Sequence, residues 1–184
     1  MIKKLFSIFI FLLLTNLVQA KENIMIMKLK DGNVYIELFK DAAPKHVERI
    51  LHLVKEKKFD GVVFHRVIDG FMAQTGDVQF GNSNSDSFNL RRAGTGGSDL
   101  PDLKAEFNDL PHVRGTLSMA RSNDPDSANS QFFICFKDSS FLDRQYTVFG
   151  KVVEGMEFID LIKRGEGSNG EVSDPDKIIS LSIK

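Results

Sequence analysis

The chain predicts a mainly β fold, a sandwich or closed barrel of about eight short strands accompanied by two helices. Three observations predict it. Short apolar runs recur along the chain with turn residues between most of them. Only two segments carry a helical period. Two helices are too few to cover both faces of a parallel sheet. A composition of 42% hydrophobic and 27% charged residues is that of an ordinary globular domain, which excludes disordered, collagenous and polytopic membrane classes.

The elements follow in order. Residues 24–30 and 33–39 are apolar-rich runs separated by Asp31-Gly32, a strong hairpin signal. In the second run Val34, Ile36 and Leu38 alternate with Tyr35, Glu37 and Phe39, the period of a strand. Pro44 suits a first helical turn. Val47, Ile50, Leu51 and Val54 then follow at i, i+3, i+4 and i+7, while Lys45, Glu48, Arg49, Lys55 and Glu56 supply the polar face. Met156, Ile159 and Ile162 predict a second helix near 155–163. Strands are expected at 62–68, 71–75, 116–120, 131–136, 147–153 and 178–183. Residues 78–101, rich in Gly, Ser, Asn and Asp, predict a long loop, a kind of segment that often carries function.

The first twenty residues read as an address. Lys3 and Lys4 precede a mostly apolar run, and Val18-Gln19-Ala20 offers small residues where a signal peptidase cuts. The run is shorter than the roughly 20 apolar residues of a spanning helix. An uncleaved anchor is the alternative. The expected domains are thus a signal peptide over 1–20 and a single domain over 21–184, exported, with the bacterial periplasm as first expectation and no stable membrane association after cleavage. Removing Lys3 and Lys4 leaves 22 basic against 25 acidic side chains, which gives no electrostatic case for nucleic acid or anionic membrane. Nothing signals a dimer seam, so a monomer is expected. A lone Cys135 makes neither an intrachain disulfide nor a cysteine zinc site, and reads as a buried, inert thiol.

The common catalytic patterns are missing. The four histidines form no metal-ligand spacing, and no nucleophile elbow occurs. Gly94-Thr95-Gly96-Gly97 lacks the Lys-Ser/Thr of a phosphate loop and reads as a tight turn; Asp69 and Asp77, each beside a glycine, read as turn residues. No cofactor and no metal is expected. What stands out is Phe64-His65-Arg66-Val67-Ile68-Asp69-Gly70-Phe71-Met72-Ala73-Gln74. Arg66 lies in a strand of large apolar residues, where a guanidinium is costly unless it faces a cleft or a partner. By period two, Phe64, Arg66 and Ile68 share a face, Met72 and Gln74 share one, and so do Gln131, Phe133 and Cys135. Arg and Gln would then project beside Met and Phe. An Arg paired with a carboxylate, with two Gln at strand edges, is the plainer alternative.

This segment resembles the signature of cyclophilin-type peptidyl-prolyl cis-trans isomerases. Gly94-Thr95-Gly96-Gly97, Glu106-Phe107, Gly115-Thr116-Leu117-Ser118-Met119-Ala120, Ser130-Gln131-Phe132-Phe133-Ile134, Phe141-Leu142-Asp143 and Val148-Phe149-Gly150-Lys151-Val152 match in the family's order, across about residues 24–183. The resemblance implies an eight-stranded antiparallel closed β-barrel capped by two α-helices. It implies Arg66 as the catalytic arginine, with Phe71, Met72, Phe133 and Leu142 around the proline ring. Gln74 and Gln131 would orient polar groups, Ala120, Arg121 and Ser122 would carry the substrate backbone, and Gly94 would edge the neighbouring subsite. Phe141 stands where better-known members carry Trp. It lacks the indole N–H that holds cyclosporin, so weakened sensitivity is expected. Tyr146 replaces a His of many relatives. The implied partners are proline-containing polypeptide clients, and the alternative activity is that of a proline-peptide-binding chaperone or scaffold with little turnover.

Overall fold

The computed structural model describes residues 23–184; the expected signal peptide lies outside the described residues. Eight strands form one antiparallel sheet: β1 (Ile24–Lys28), β2 (Asn33–Leu38), β3 (Arg66–Ile68), β4 (Met72–Thr75), β5 (Thr116–Met119), β6 (Phe132–Cys135), β7 (Val148–Glu154) and β8 (Ser180–Ile183). Their spatial order is β3-β4-β6-β5-β7-β2-β1-β8. The Asp31-Gly32 hairpin pairs Lys28 with Asn33 and runs to Ile24 opposite Glu37. β8 returns from the end of the chain to pair with β1.

The expectation of a closed barrel is corrected. The sheet curls into an open half-barrel with β3 and β8 as its free ends, and among the described residues no strand ladder joins them. Among the described residues the gap is crossed by one isolated bridge, Val63 to Lys177, and by backbone hydrogen bonds between residues 61–64 and 176–178. The physical reason lies in residues 62–65, expected as strand. Val62, Val63 and Phe64 are all buried, and their backbone N–H groups bond to three separate segments rather than along one neighbouring strand. The Val63 N–H donates to Gly81 O and the Phe64 N–H to Asp176 O instead. The expectation that Phe64 shares the face of Arg66 fails for the same reason, because Phe64 turns into the core while Arg66 faces outward.

Two helices cover the sheet: α1 (Pro44–Lys55) and the short α2 (Met156–Asp160). Val47, Ile50 and Val54 of α1 are buried as the period predicts, but Leu53 completes the stripe and Leu51 stays at its margin. The N-terminus of α1 has no cap of its own. Glu106 supplies one from 60 residues away, accepting the Lys45 and His46 N–H groups at 3.1 Å and His46 Nδ1 at 2.7 Å. Burial pushes that carboxyl up, yet the hydrogen bonds from His46 and the two amides hold it below the ordinary carboxylate value.

The inner core is phenylalanine-rich. Phe132 packs edge-on against both Phe59 (5.8 Å) and Phe149 (5.9 Å). A second, smaller cluster, Met72, Phe133, Cys135 and Leu142, forms on the outer face of β4 and β6, with Ile68, Phe71, Ala120 and Tyr146 against it. The two clusters exist because antiparallel strands send successive side chains to opposite faces.

Candidate active site

Register brings the polar and apolar halves of the site together. Arg66 of β3 lies opposite Gln74 of β4, Gln74 opposite Phe133 of β6, and Phe133 opposite Ser118 of β5. Residues paired across antiparallel strands point to the same face, so this row crosses the outer surface of the sheet.

The hydrogen bonds along the row have one direction. Gln131 Nε2 donates to the carbonyls of Gly94 (3.0 Å) and Gly96 (2.7 Å), so its oxygen faces Gln74. Gln74 must therefore present its Nε2 to Gln131 Oε1 (3.0 Å), which leaves its own oxygen to accept from Arg66 Nη1 at 3.2 Å. Arg66 Nε donates to Asn169 O at 2.9 Å. Met72 Sδ lies 4.0 Å from Nη1. Among the described residues no carboxylate forms an ion pair with Arg66. The plainer alternative raised by the sequence, a structural ion pair, is therefore not what the geometry contains. Both acceptors are neutral, and the guanidinium keeps its full charge at the lip of the apolar cluster. Half-burial lowers its pKa, but a guanidinium starts so high that it remains protonated at any physiological pH.

The apolar cluster forms a shallow pocket beside this charge. Met72 and Phe133 make its floor, and Leu142 enters from a short 3-10 turn, Ser140–Leu142. Phe71 and Phe141 close one rim with ring centroids 5.4 Å apart, Phe141 being 64% exposed. Tyr146 meets Phe133 edge-on at 5.8 Å, and the Arg121 guanidinium lies over its ring at 4.5 Å. Cys135 is fully buried beneath, and burial pushes its thiol up to about 12. Ala120 follows β5 directly, and Arg121 Nη1 folds back onto Ser122 O. A polar recess of about 530 Å³ adjoins the pocket, lined in part by Gly94, Ser98, Arg121, Ser122 and Gln131. Apart from Phe64, which faces the core, the site residues singled out by the sequence thus gather around the pocket and its adjoining recess.

Three groups the sequence reading did not single out support this face. Asp77, read as a turn residue, is wholly buried and anchors the long loop. Its Oδ2 accepts the N–H groups of Gly94 (2.7 Å) and Gly96 (2.9 Å), and its Oδ1 those of Gln79 and Phe80. His112 stacks beneath Phe133 at 6.1 Å, with Nδ1 2.9 Å from Asp143 and Nε2 3.0 Å from Ser118 Oγ. Hydrogen bonds from the His112 amide and ring hold Asp143 below the ordinary carboxylate value. The third is the Asn169 carbonyl. A glycine beside an aspartate hinted at Asp77, whereas a backbone carbonyl leaves no trace in residue type. Among the described residues no group of three His, Cys, Asp or Glu is placed to hold a metal, and no helix is long and apolar enough to cross a membrane.

Comparison with known proteins agrees with this geometry. A family model described as cyclophilin type peptidyl-prolyl cis-trans isomerase/CLD matches residues 24–183. A probable peptidyl-prolyl cis-trans isomerase of Brucella suis is 60% identical over 164 residues, covering 89% of this chain and 83% of that protein. The peptidyl-prolyl cis-trans isomerase of Acinetobacter baylyi is 38% identical, covering 90% of this chain and 88% of that one. Among solved structures, a cyclophilin from Hirschia baltica superimposes with a TM-score of 0.74 at 28% identity, covering 89% of this chain and 74% of that one. A Cryptosporidium parvum cyclophilin, crystallised in the presence of the dipeptide Ala-Pro, gives a TM-score of 0.74 at 26% identity over 88% of this chain and 98% of that one. The chain belongs to the cyclophilin-type peptidyl-prolyl cis-trans isomerases.

Proposed function

We propose that the protein accelerates rotation about X-Pro bonds in exported polypeptides, with Arg66 as the catalytic group. The observation that carries this reading is the guanidinium held by two neutral acceptors at the lip of an apolar pocket. Planar amides resist rotation by about 18–20 kcal/mol because the nitrogen lone pair is shared with the carbonyl. A twist of about 90° returns that lone pair to the proline nitrogen. A cationic donor then binds the twisted form better than the planar one, which is the requirement for catalysis.

The magnitudes call for two contributions. A thousandfold acceleration needs about 4 kcal/mol, and one charge-assisted hydrogen bond contributes about 1.5–3 kcal/mol. Phe71, Met72, Phe133 and Leu142 supply the remainder by gripping the proline ring while the preceding carbonyl turns, and by excluding water that favours the planar amide. Gln74 and Gln131 orient the guanidinium and substrate polar groups. Ala120, Arg121 and Ser122 carry the substrate backbone, Gly94 edges the adjoining recess, and Phe141 and Tyr146 form the rim.

Export is supported by Lys3, Lys4, the apolar run and Val18-Gln19-Ala20. Uncatalysed X-Pro isomerisation takes tens to hundreds of seconds, long enough to limit the folding of a secreted client. The protein acts as a monomer without cofactor. Phe141 offers no N–H to cyclosporin, so Phe141→Trp should tighten inhibition; a nanomolar inhibition constant for the parent would count against this point. The direct test is a protease-coupled assay on a short X-Pro peptide, comparing the parent with Arg66→Ala. Fast turnover lost in the variant supports the mechanism. Full activity without Arg66 removes it, and a variant that loses turnover but still suppresses client aggregation adds the binding role.

A further inference from the structure

Residues 165–172 lie along the free edge of β3. The Glu166 N–H donates to Glu171 O at 2.8 Å, closing a small turn over residues 167–170. On the side facing β3, Gly165 N–H donates to Val67 O (2.9 Å), Val67 N–H to Gly170 O (2.7 Å) and Val172 N–H to His65 O (3.2 Å). These bonds bracket Arg66 on both sides in sequence and fix the register of the loop against it. At that register the Asn169 carbonyl meets Arg66 Nε at 2.9 Å.

A guanidinium is planar, and one anchor leaves it free to swing about that bond. Two anchors on different nitrogens define its plane. Gln74 takes Nη1 and Asn169 takes Nε, so the remaining N–H groups have a fixed direction. We propose that the 165–172 loop is a positioning element for Arg66, with the Asn169 carbonyl as its working atom and Gly170 as the residue that lets it approach. This rests on the reading of Arg66 as catalytic.

Gly170 has a φ of +73°, and a Cβ there would lie 2.5 Å from Ile68 Cγ1 and 2.9 Å from Val67 O. A side chain would lift the loop off β3. Gly167, three residues away, has a φ of +65°, but a Cβ there meets nothing within 4 Å. Alanine at either site carries similar backbone strain, and only at 170 does it strike the strand that bears Arg66. The two substitutions therefore separate loop position from loop strain.

In the full protein, Gly170→Ala should lower kcat about tenfold with a smaller change in KM, since the collision reaches Ile68 behind the pocket but none of Met72, Phe133 and Leu142. Gly167→Ala should change kcat less than about twofold. Asn169→Gly keeps the carbonyl but drops the Asn169 Nδ2 bond to Glu171 (3.1 Å), and should cost about two- to threefold without any collision. It serves if Gly170→Ala does not fold. In an Arg66→Ala background, Gly170→Ala and Asn169→Gly should have almost no further effect, because their route to the reaction is gone. The Arg66 Nε–H NMR resonance should move toward that of free arginine in Gly170→Ala and not in Gly167→Ala. An undiminished penalty in the Arg66→Ala background, an equal loss at Gly167, or an unmoved Nε–H resonance overturns the proposal. If Arg66→Ala alone retains full turnover, the catalytic reading fails instead, and the resonance decides the positioning claim by itself.

Discussion

The two faces of β6 divide the labour of the molecule. Phe132 and Ile134 point inward and Phe133 and Cys135 outward, all from one four-residue strand and all buried. The inner residues touch other apolar side chains from α1 and the far strands. The outer residues pack with Met72 and Leu142, and Phe133 with Tyr146, around an open pocket beside Arg66. Burial alone does not tell the two apart; what differs is whether the far side of the side chain is closed by protein or left for a ligand. A stability phenotype is expected from one face and an activity phenotype from the other.

The sharpest contrast is between Phe132→Ala and Arg66→Ala. The first empties the centre of a stack that joins Phe59 to Phe149 and should cost about 3–5 kcal/mol in urea unfolding. The second should lower kcat/KM about a hundredfold while unfolding stability shifts by less than about 1 kcal/mol, since a half-buried charge without an ion-pair partner is removed. If Arg66→Ala proves as destabilising as Phe132→Ala, the division between the faces fails.

His65 tests the boundary between the faces. It is buried next to Arg66, neither ring nitrogen has a hydrogen-bond partner among the described residues, and its ring lies under Gly94. Burial holds its pKa at about 4, below the ordinary 6.5. The unfolded chain therefore takes up the proton first, and stability falls as pH drops from about 6.5 toward 4. Between pH 7 and 5 the parent should lose about 2 kcal/mol relative to His65→Leu, read from urea midpoints before most carboxylates titrate. Parallel pH profiles for the two proteins would place His65 outside the linked set.

A smaller effect than that of Arg66→Ala is expected at Gln131. Its amide links Gln74 to the Gly94 and Gly96 carbonyls, and Gln131→Ala frees Gln74 without removing the Arg66 bond. A loss of about fivefold in kcat/KM follows, near 1 kcal/mol. A loss as large as that of Arg66→Ala would mean that the amide row acts as one unit with the guanidinium.

Most of the strands, α1 and the outward set Met72, Gln74, Gln131, Phe133 were legible as sequence because they are written locally: alternation for β2, a short apolar run for β6, three-four spacing for α1. Arg66 stood out because its residue type conflicts with its neighbours. Residues 62–65 misled, because three consecutive apolar residues read as strand whether or not they alternate. Asp77 is the turn residue that the neighbouring glycine suggested, capping the Gln79 and Phe80 amides, but its burial was not legible because it depends on where the 78–101 loop folds back.

The sequence by itself determined the mainly β class, through its short apolar runs, and the family, through motifs that match in order; it was that resemblance, more than period, that named the side chains around Arg66. Only the tertiary structure decided that the sheet stays open between β3 and β8, that Asp77 and His112 brace the site from within, and that a carbonyl about a hundred residues downstream holds the Arg66 guanidinium. Those features are made by backbone groups and long-range approach. Every residue carries the same carbonyl, so its use at Asn169 is settled by geometry and not by residue type.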